Sequence, residues 1–141
     1  MQLQEKINQL FIEQQKDWEQ LKTAVEQLKR VQVKEFTWGN ELKVDVQFNP
    51  ARITSASAKV DKSSIEKRPC FLCEENRPKV QSGVPFLDKY IILVNPFPIL
   101  PKHLTITLHS HVPQRIRRKV GDMLTLAELL PDHVVFYNGP K

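Results

Sequence analysis

The chain has 141 residues, of which 40% are hydrophobic and 26% are charged, and these values fit one ordinary globular domain. No apolar run approaches the roughly 20 residues that a membrane-spanning helix needs, and the N-terminus lacks the charged-then-apolar layout of a signal peptide. We therefore expect a cytoplasmic protein with no membrane partner. The net charge of +5 mainly indicates a solvated basic face, although it also suits an anionic ligand such as a nucleotide phosphate.

Residues 3–30 are predicted to form one long helix, because apolar residues recur at alternating steps of three and four. Gln14 interrupts the series in the middle. The stripe comprises Leu3, Ile7, Leu10, Trp18, Leu21, Val25 and Leu28. Two interpretations stay open, since the stripe could pack on its own domain or pair with a second copy in a homodimer. We accordingly divide the chain into an N-terminal helix, 1–30, and a main domain, 31–141.

The main domain alternates between strand and helix patterns. Two alternating apolar segments flank Gly39-Asn40 and predict a β-hairpin. The elements predicted in chain order are strands at 31–38 and 42–48, a short helix at 61–67, strands at 90–94 and 104–108, a helix at 113–130 and a last strand at 134–137. This order implies an α+β fold with a mostly antiparallel sheet.

Cys70 and Cys73 form the sharpest local motif. In a reducing compartment a Cys-x-x-Cys pair is more typical of a metal or redox site than of a disulfide, and two thiolates on a tight turn can both bind one tetrahedral zinc. The candidate further ligands are His103, His109, His111 and His133. Of these, His111 lies at the corner between a predicted strand and a predicted helix, where a metal has room. A redox pair and two structural cysteines remain alternatives.

Several segments resemble the galactose-1-phosphate uridylyltransferases, which belong to the histidine-triad superfamily with the dinucleoside polyphosphate phosphorylases. Cys70-Phe71-Leu72-Cys73 resembles their cysteine knuckle, and residues 90–97 resemble the strand that ends in an Asn-x-Phe nucleoside pocket. His103 to His111 resembles the superfamily's strand-then-histidine corner. Asn49-Pro50-Ala51-Arg52 is similar to a Pro-x-Arg segment near the phosphates, and residues 136–139 resemble the strand before the phosphate loop.

The resemblance implies a sheet of the histidine-triad type and nucleotidyl transfer or phosphorolysis on a nucleoside diphosphate sugar or a dinucleoside polyphosphate. The reaction would pass through a nucleotidyl-histidine. It also implies that Cys70, Cys73 and His111 are three ligands of a structural zinc. The positions that it assigns to a nucleotide or nucleotide-sugar ligand are Leu72, Asn95 and Phe97 around the base and ribose, and Arg52 and Asn138 near the phosphates.

The sequence departs from this family at its end. The family continues after the position of Asn138 with a loop and a His-x-His-x-Gln motif, which supplies the fourth zinc ligand and the nucleophile, whereas this sequence ends at Lys141. We therefore expect only the N-terminal portion of such an enzyme, catalytically incomplete by itself. The alternative is a small zinc-binding module that contacts a protein or, less favoured, nucleic acid through Arg115, Arg117, Arg118 and Lys119.

Overall fold

The computed structural model describes residues 2–39, 41–50, 63 and 68–139. Its helices are α1 (Leu3–Asp17), α2 (Glu19–Leu28) and α3 (Val120–Leu129), with a 3-10 turn at Glu74–Asn76. Its strands are β1 (Gln32–Trp38), β2 (Leu42–Phe48), β3 (Gly83–Phe86), β4 (Tyr90–Val94) and β5 (Leu104–Leu108). Every strand pairing among the described residues is antiparallel, which confirms the predicted α+β class. None of the described helices is long and apolar enough to cross a membrane.

The larger sheet has the order β3-β4-β5, so β4 is the central strand. Ile92, Leu93 and Val94 are at most 1% exposed, as expected of a strand paired on both sides and covered by helices. The proline of β3, Pro85, lies on an edge strand, where a missing backbone N–H is tolerated.

The two N-terminal helices pack against this sheet. Their apolar stripe joins β3, β4 and the end of α3 in one buried cluster: Ile7, Leu10, Phe11, Trp18, Leu21, Phe86, Tyr90, Ile92, Val94, Leu126 and Leu130. The structure therefore supports the first interpretation of the stripe, in which it packs against its own domain. A homodimer through the N-terminal helix stays a prediction, and it would need a surface other than this stripe.

The single helix predicted over residues 3–30 is wrong in one respect, because the helix breaks at Trp18. Trp18 has φ −118° and ψ 96°, an extended conformation that no α-helix accommodates. The break turns the indole into the core, where it is 6% exposed. Helical periodicity continues across the break, since Lys22 N–H still donates to the carbonyl of Trp18 over 3.0 Å.

Gln14, which interrupts the apolar stripe, fastens α1 to the segment before β3. Its side chain is 3% exposed. Nε2 donates to the carbonyl of Val80 at 2.9 Å, and Oε1 accepts from the N–H of Ser82 at 3.3 Å. Both polar ends of the buried amide are therefore used, as a buried polar group requires.

Two further predictions need correction, and one strand was missed. The last helix begins at Val120 rather than at Pro113, because Arg118 has φ +63°, a left-handed conformation that interrupts a right-handed helix. Residues 134–137 form no strand; Val135 packs against the core through its side chain instead. Strand β3 was not predicted at all. The short helix predicted at 61–67 lies outside the described residues, apart from Ser63.

Helix α3 is fixed to the beginning of β4 by a polar contact. The hydroxyl of Tyr90 donates to Oδ2 of Asp122 at 2.5 Å, and the Lys89 ammonium donates to Oδ1 at 3.0 Å. Burial and the neighbouring carboxylate raise the pKa of Tyr90 to about 12. The hydrogen bond from Tyr90, followed by that from Lys89, holds the pKa of Asp122 below its usual value.

Candidate metal centre

The cysteine knuckle is built from two consecutive tight turns. The N–H of Cys73 donates to the carbonyl of Cys70 at 3.1 Å, and the N–H of Asn76 then donates to the carbonyl of Cys73 at 3.0 Å. The Asn76 side chain links the second turn to the first, because Nδ2 donates to the carbonyl of Cys70 at 3.1 Å. These bonds turn both thiols toward the same side of the knuckle, where their sulfur atoms can share one ion.

The third residue of the site comes from the other end of the sheet. Strand β5 ends at Leu108, and the N–H of His109 donates to the carbonyl of Lys89 at 3.0 Å. The chain then turns outward, so that the exposed His111 places Nδ1 3.1 Å from Sγ of Cys73. The ligand atoms of Cys70, Cys73 and His111 all lie within 4.8 Å of one another. The structure therefore brings together the three residues that the sequence suggested as metal ligands.

This donor set fits zinc. Thiolate and imidazole ligands favour zinc among the common biological divalent metals. Around a tetrahedral zinc, with Zn–S of about 2.3 Å and Zn–N of about 2.0–2.1 Å, neighbouring donor atoms lie roughly 3.5–3.8 Å apart. The contact between Cys73 and His111 would need to open by roughly half an ångström from that comparison, which a side-chain rotation at the exposed His111 can supply. Three protein ligands leave a fourth position for water or another group.

The electrostatics of the knuckle favour a protonated Cys73 thiol when no metal is bound. Partial burial raises the pKa of the Cys73 thiol, and the hydrogen bond and charge of Cys70 and the carboxylate of Glu75 act in the same direction. The guanidinium of Arg77 opposes them. Metal ligation requires thiolates, so binding at this site would release protons.

Two residues of the knuckle were not identified as candidates from the sequence. Asn76 holds the turn, as described above. The Arg77 side chain is only 10% exposed, and its Nε is buried without a hydrogen-bond partner among the described residues. The only sequence signal for either was their position just after Cys73, in Glu-Glu-Asn-Arg.

The other three histidines do not join the cluster. His103 accepts a hydrogen bond from the N–H of Ile99 at 3.3 Å and lies 6.4 Å from the ring of Phe136. His109 is exposed. Both ring nitrogens of His133 are buried without a hydrogen-bond partner among the described residues, and burial lowers its pKa.

The residues assigned to a nucleotide fall in separate places. Asn95 lines a cavity of about 340 Å³ between the N-terminal helices and the end of β4, and Phe97 lines a second cavity of about 310 Å³ beside α2. The Asn95 side chain accepts from the N–H of Phe97 at 2.8 Å and donates to the hydroxyl of Thr105 at 3.0 Å. These hydrogen bonds fix the loop that separates the two cavities.

Leu72 and Asn138 are not among the described residues that line either cavity. Leu72 lies on the cysteine knuckle, and the carbonyl of Asn138 accepts a hydrogen bond from the side chain of Gln114. Asn138 is thereby joined to the segment that follows His111, while Phe136, two positions before it, lies 6.4 Å from the ring of His103. Arg52 lies outside the described residues.

Two lysines help to line the larger cavity. Its described lining is mostly apolar and includes Phe11, Leu21, Val25 and Val94 together with Lys29 and Lys102. The Lys102 ammonium is held by Oδ1 of Asn8 at 2.9 Å, and Lys29 pairs with Glu26 at 2.6 Å. An apolar cavity bordered by two cations could accept a planar apolar group that carries a negative charge.

Comparison with known proteins gives one match. A family model described as a domain of unknown function, DUF4922, matches residues 10–141. No curated protein and no solved structure matches the chain. Because the match runs from within α1 through α2, both sheets, the cysteine knuckle and α3, the chain belongs to the DUF4922 family of domains of unknown function.

Proposed function

We propose that this chain is a zinc-stabilised, nucleotide-binding domain of the histidine-triad nucleotidyltransferase type. The observation that carries the proposal is the convergence of Cys70, Cys73 and His111 within 4.8 Å. A thiol pair that precedes the larger sheet and an imidazole that follows it would supply three of the four ligands of a structural zinc. The zinc would be held by these three residues and by a fourth ligand from outside the described cluster.

The nucleotide part of the proposal is supported by the cavity at Asn95. The side chain of Asn95 fixes the loop carrying Phe97, and Phe97 is 48% exposed next to a second cavity. An aromatic face beside an apolar cavity is suited to a base, and Lys29 and Lys102, which line the first cavity on the other side of the Asn95 loop, are suited to phosphates. The substrate class would be a nucleoside diphosphate sugar or a dinucleoside polyphosphate.

For these 141 residues we propose that the nucleotide is bound but not turned over. Covalent nucleotidyl transfer needs a nucleophile in line with the phosphorus. The sequence contains no His-x-His-x-Gln, and the pair His109 and His111 is followed by Val112 and Pro113 instead. The residues present would hold and orient the nucleotide and would not supply the attacking nitrogen.

Calorimetric titration with UDP-glucose, GDP-sugars and diadenosine tetraphosphate tests the proposal. We expect one of these ligands to bind, and Phe97→Ala to weaken that binding roughly 5- to 150-fold through the loss of base stacking, about 1–3 kcal/mol. Leu124→Ala is the matched control, because Leu124 is 67% exposed on α3 and lines neither cavity. Equal affinity of the wild type and Phe97→Ala would overturn the assignment of Phe97, and no binding by any ligand would overturn the nucleotide function.

The second candidate is a zinc-binding module that contacts a polyanion. Arg115, Arg117 and Arg118 are exposed and lie between the metal corner and α3. A polyanion bound there would show an affinity that falls steeply with salt. Salt-dependent binding of generic RNA, together with no binding of the nucleotides above, would favour this candidate over the first.

A further inference from the structure

The β1–β2 hairpin has one apolar and one polar face. The register pairs Phe36 with Val44 and Trp38 with Leu42, so these four side chains lie on the same face of the ribbon. The large apolar residues of that face are all exposed, by 42–79%, and comprise Phe36, Trp38, Leu42, Val44, Val46 and Phe48.

The opposite face is largely polar. It pairs Glu35 with Asp45 and Thr37 with Lys43, and the Lys43 ammonium lies 3.4 Å from the Glu35 carboxylate. Val33 is the single large apolar residue there. This alternation of apolar and polar side chains is typical of a ribbon that is buried on one face and solvated on the other.

An apolar face of this size is unusual on a free surface. An isolated two-stranded hairpin is marginally stable in water, and contiguous exposed apolar patches beyond a few hundred Å² commonly mark an interaction site. The described core leaves the face uncovered, because none of its six residues belongs to the buried cluster.

We propose that the apolar face of the β1–β2 hairpin is a homodimer interface, in which the hairpins of two copies of this chain stack face to face. This surface is distinct from the N-terminal helix, and the proposal goes beyond the nucleotide-binding function. In the complex the two ribbons would run antiparallel about a two-fold axis and form a small sandwich.

The one charged residue of the face can contact an aromatic ring of the second copy. Lys34 is its one charged residue among those described, and the Lys34 ammonium lies 5.0 Å from the ring centroid of Phe36 in the same chain. Along the ribbon, the pair Phe36 and Val44 is next to the pair Lys34 and Val46. An antiparallel stack whose two-fold axis lies between these two pairs would place Lys34 of each copy over Phe36 of the other, a reciprocal cation–π contact.

The available area reaches what a specific dimer needs. Three aromatic side chains of roughly 150–250 Å² each, which are 47–79% exposed, and three aliphatic side chains offer on the order of 500–600 Å² per copy. Two copies would then bury about 1,000–1,200 Å², the low end of specific interfaces. Such an interface predicts a reversible dimer with a dissociation constant in the micromolar range.

A lipid surface is the less favoured occupant, because the end of the hairpin that would enter the bilayer is polar. Residues 39–41 at the tip are Gly-Asn-Glu, and a carboxylate is costly in hydrocarbon. The dimer would bury the apolar face of the ribbon and leave this tip in water.

Sedimentation velocity on the 141-residue chain over a range from about 1 to 500 µM tests the proposal, because a micromolar dimer is populated only at the upper end. We expect the sedimentation coefficient to rise with concentration. Tryptophan emission gives a local readout, since Trp18 is 6% exposed and Trp38 is 79% exposed. The emission should shift to the blue as the dimer forms, and Trp38→Phe should abolish that shift.

Matched variants separate the two faces of the same ribbon. Phe36→Glu, and independently Val46→Lys, should weaken the dimer at least tenfold by burying an unpaired charge. Val33→Glu alters an equally exposed valine on the opposite face and should leave dimerisation unchanged. Unchanged circular dichroism of each variant ensures that loss of the dimer is not loss of the fold.

Two results on the wild-type chain would overturn the proposal. One is a monomer at 500 µM with unchanged Trp38 emission. The other is a monomer whose Trp38 emission shifts only on addition of phosphatidylcholine–phosphatidylserine vesicles, which would assign the face to a membrane. Equal weakening of the dimer by Phe36→Glu and Val33→Glu would also contradict it, because the two faces would then not differ.

Discussion

Sγ of Cys73 lies 3.1 Å from Nδ1 of His111, although the two residues are 38 positions apart in the sequence. Cys73 precedes the larger sheet and His111 follows it, so the contact joins the two ends of the segment that contains β3, β4 and β5. A metal ion at this point would close that segment into a loop. Its binding free energy would then be added to the stability of the sheet.

The first prediction concerns this coupling between metal and stability. A metal that binds only the folded chain stabilises it by about 2.7 kcal/mol when its free concentration is 100 times the dissociation constant. We expect the melting temperature to rise with added zinc and to fall on chelation, and we expect Cys73→Ser to abolish both responses. His109→Ala should preserve them, because His109 is exposed outside the cluster. A chelator that leaves the wild-type melting temperature unchanged would contradict the coupling.

The second prediction compares two glycines. A Cβ on Gly83 would lie 2.6 Å from Cγ1 of Ile91 and 2.8 Å from Cδ2 of Leu93, so Gly83→Ala should lower the free energy of unfolding by about 1–3 kcal/mol through overpacking. A Cβ on Gly121 in α3 meets nothing within 4 Å, and Gly121→Ala should raise the free energy of unfolding by about 0.4–1 kcal/mol. Urea unfolding of both variants measures the two signs, and the same sign for both would refute the packing described here.

The third prediction concerns Gln14. Replacing it by alanine leaves the carbonyl of Val80 and the N–H of Ser82 without their partner, and we expect a loss of about 1–3 kcal/mol in the free energy of unfolding. Gln9→Ala is the control, because Gln9 lies on the exposed side of the same helix and should change stability by no more than about 0.5 kcal/mol. Equal effects of the two substitutions on urea unfolding would show that Gln14 does not fasten α1 to the segment before β3.

The fourth prediction is a pH dependence of the Tyr90–Asp122 contact. The pKa of Asp122 is lowered in the folded state, so its contribution is present above the unfolded pKa of about 3.9 and is lost as the pH falls through the lower folded value. The pKa of Tyr90 is raised to about 12, so its contribution is present below about pH 10 and is lost as the pH rises toward 12.

Tyr90→Phe removes the hydrogen bond at every pH. The difference in melting temperature between the wild type and Tyr90→Phe should therefore be large near pH 7 and should shrink in strong acid and in strong base. A difference that stays constant across the whole pH range would show that the hydroxyl and Asp122 are not coupled.

The sequence was informative where the pattern is local. The alternation on either side of Gly39 predicted β1 and β2, and the apolar run at Tyr90–Val94 predicted the buried central strand. Each of these signals depends on neighbours within a few residues. The spacing of Cys70 and Cys73 likewise predicted a pair on a tight turn. The choice of His111 among four candidate histidines came from the resemblance to the uridylyltransferases, and the structure brings all three residues together.

Features that depend on distant partners were not predictable. The apolar stripe gives no sign of a helix break at Trp18. The kink depends on the core into which the indole turns, and the local sequence pattern does not reveal that core. Gln14 looked like an interruption of that stripe, since its partners Val80 and Ser82 lie more than 60 positions away. A lone amide within an apolar stripe was the one available sign that a specific buried contact exists there.

The most direct test of the account is the zinc content of the purified chain, combined with X-ray absorption at the zinc edge. We predict one zinc per chain in the wild type and in His109→Ala, with two sulfur ligands and one imidazole, and its loss in Cys70→Ser and in His111→Ala. Retention of the full zinc content in Cys70→Ser, or a first shell without sulfur, would contradict the metal centre on which the proposed function depends.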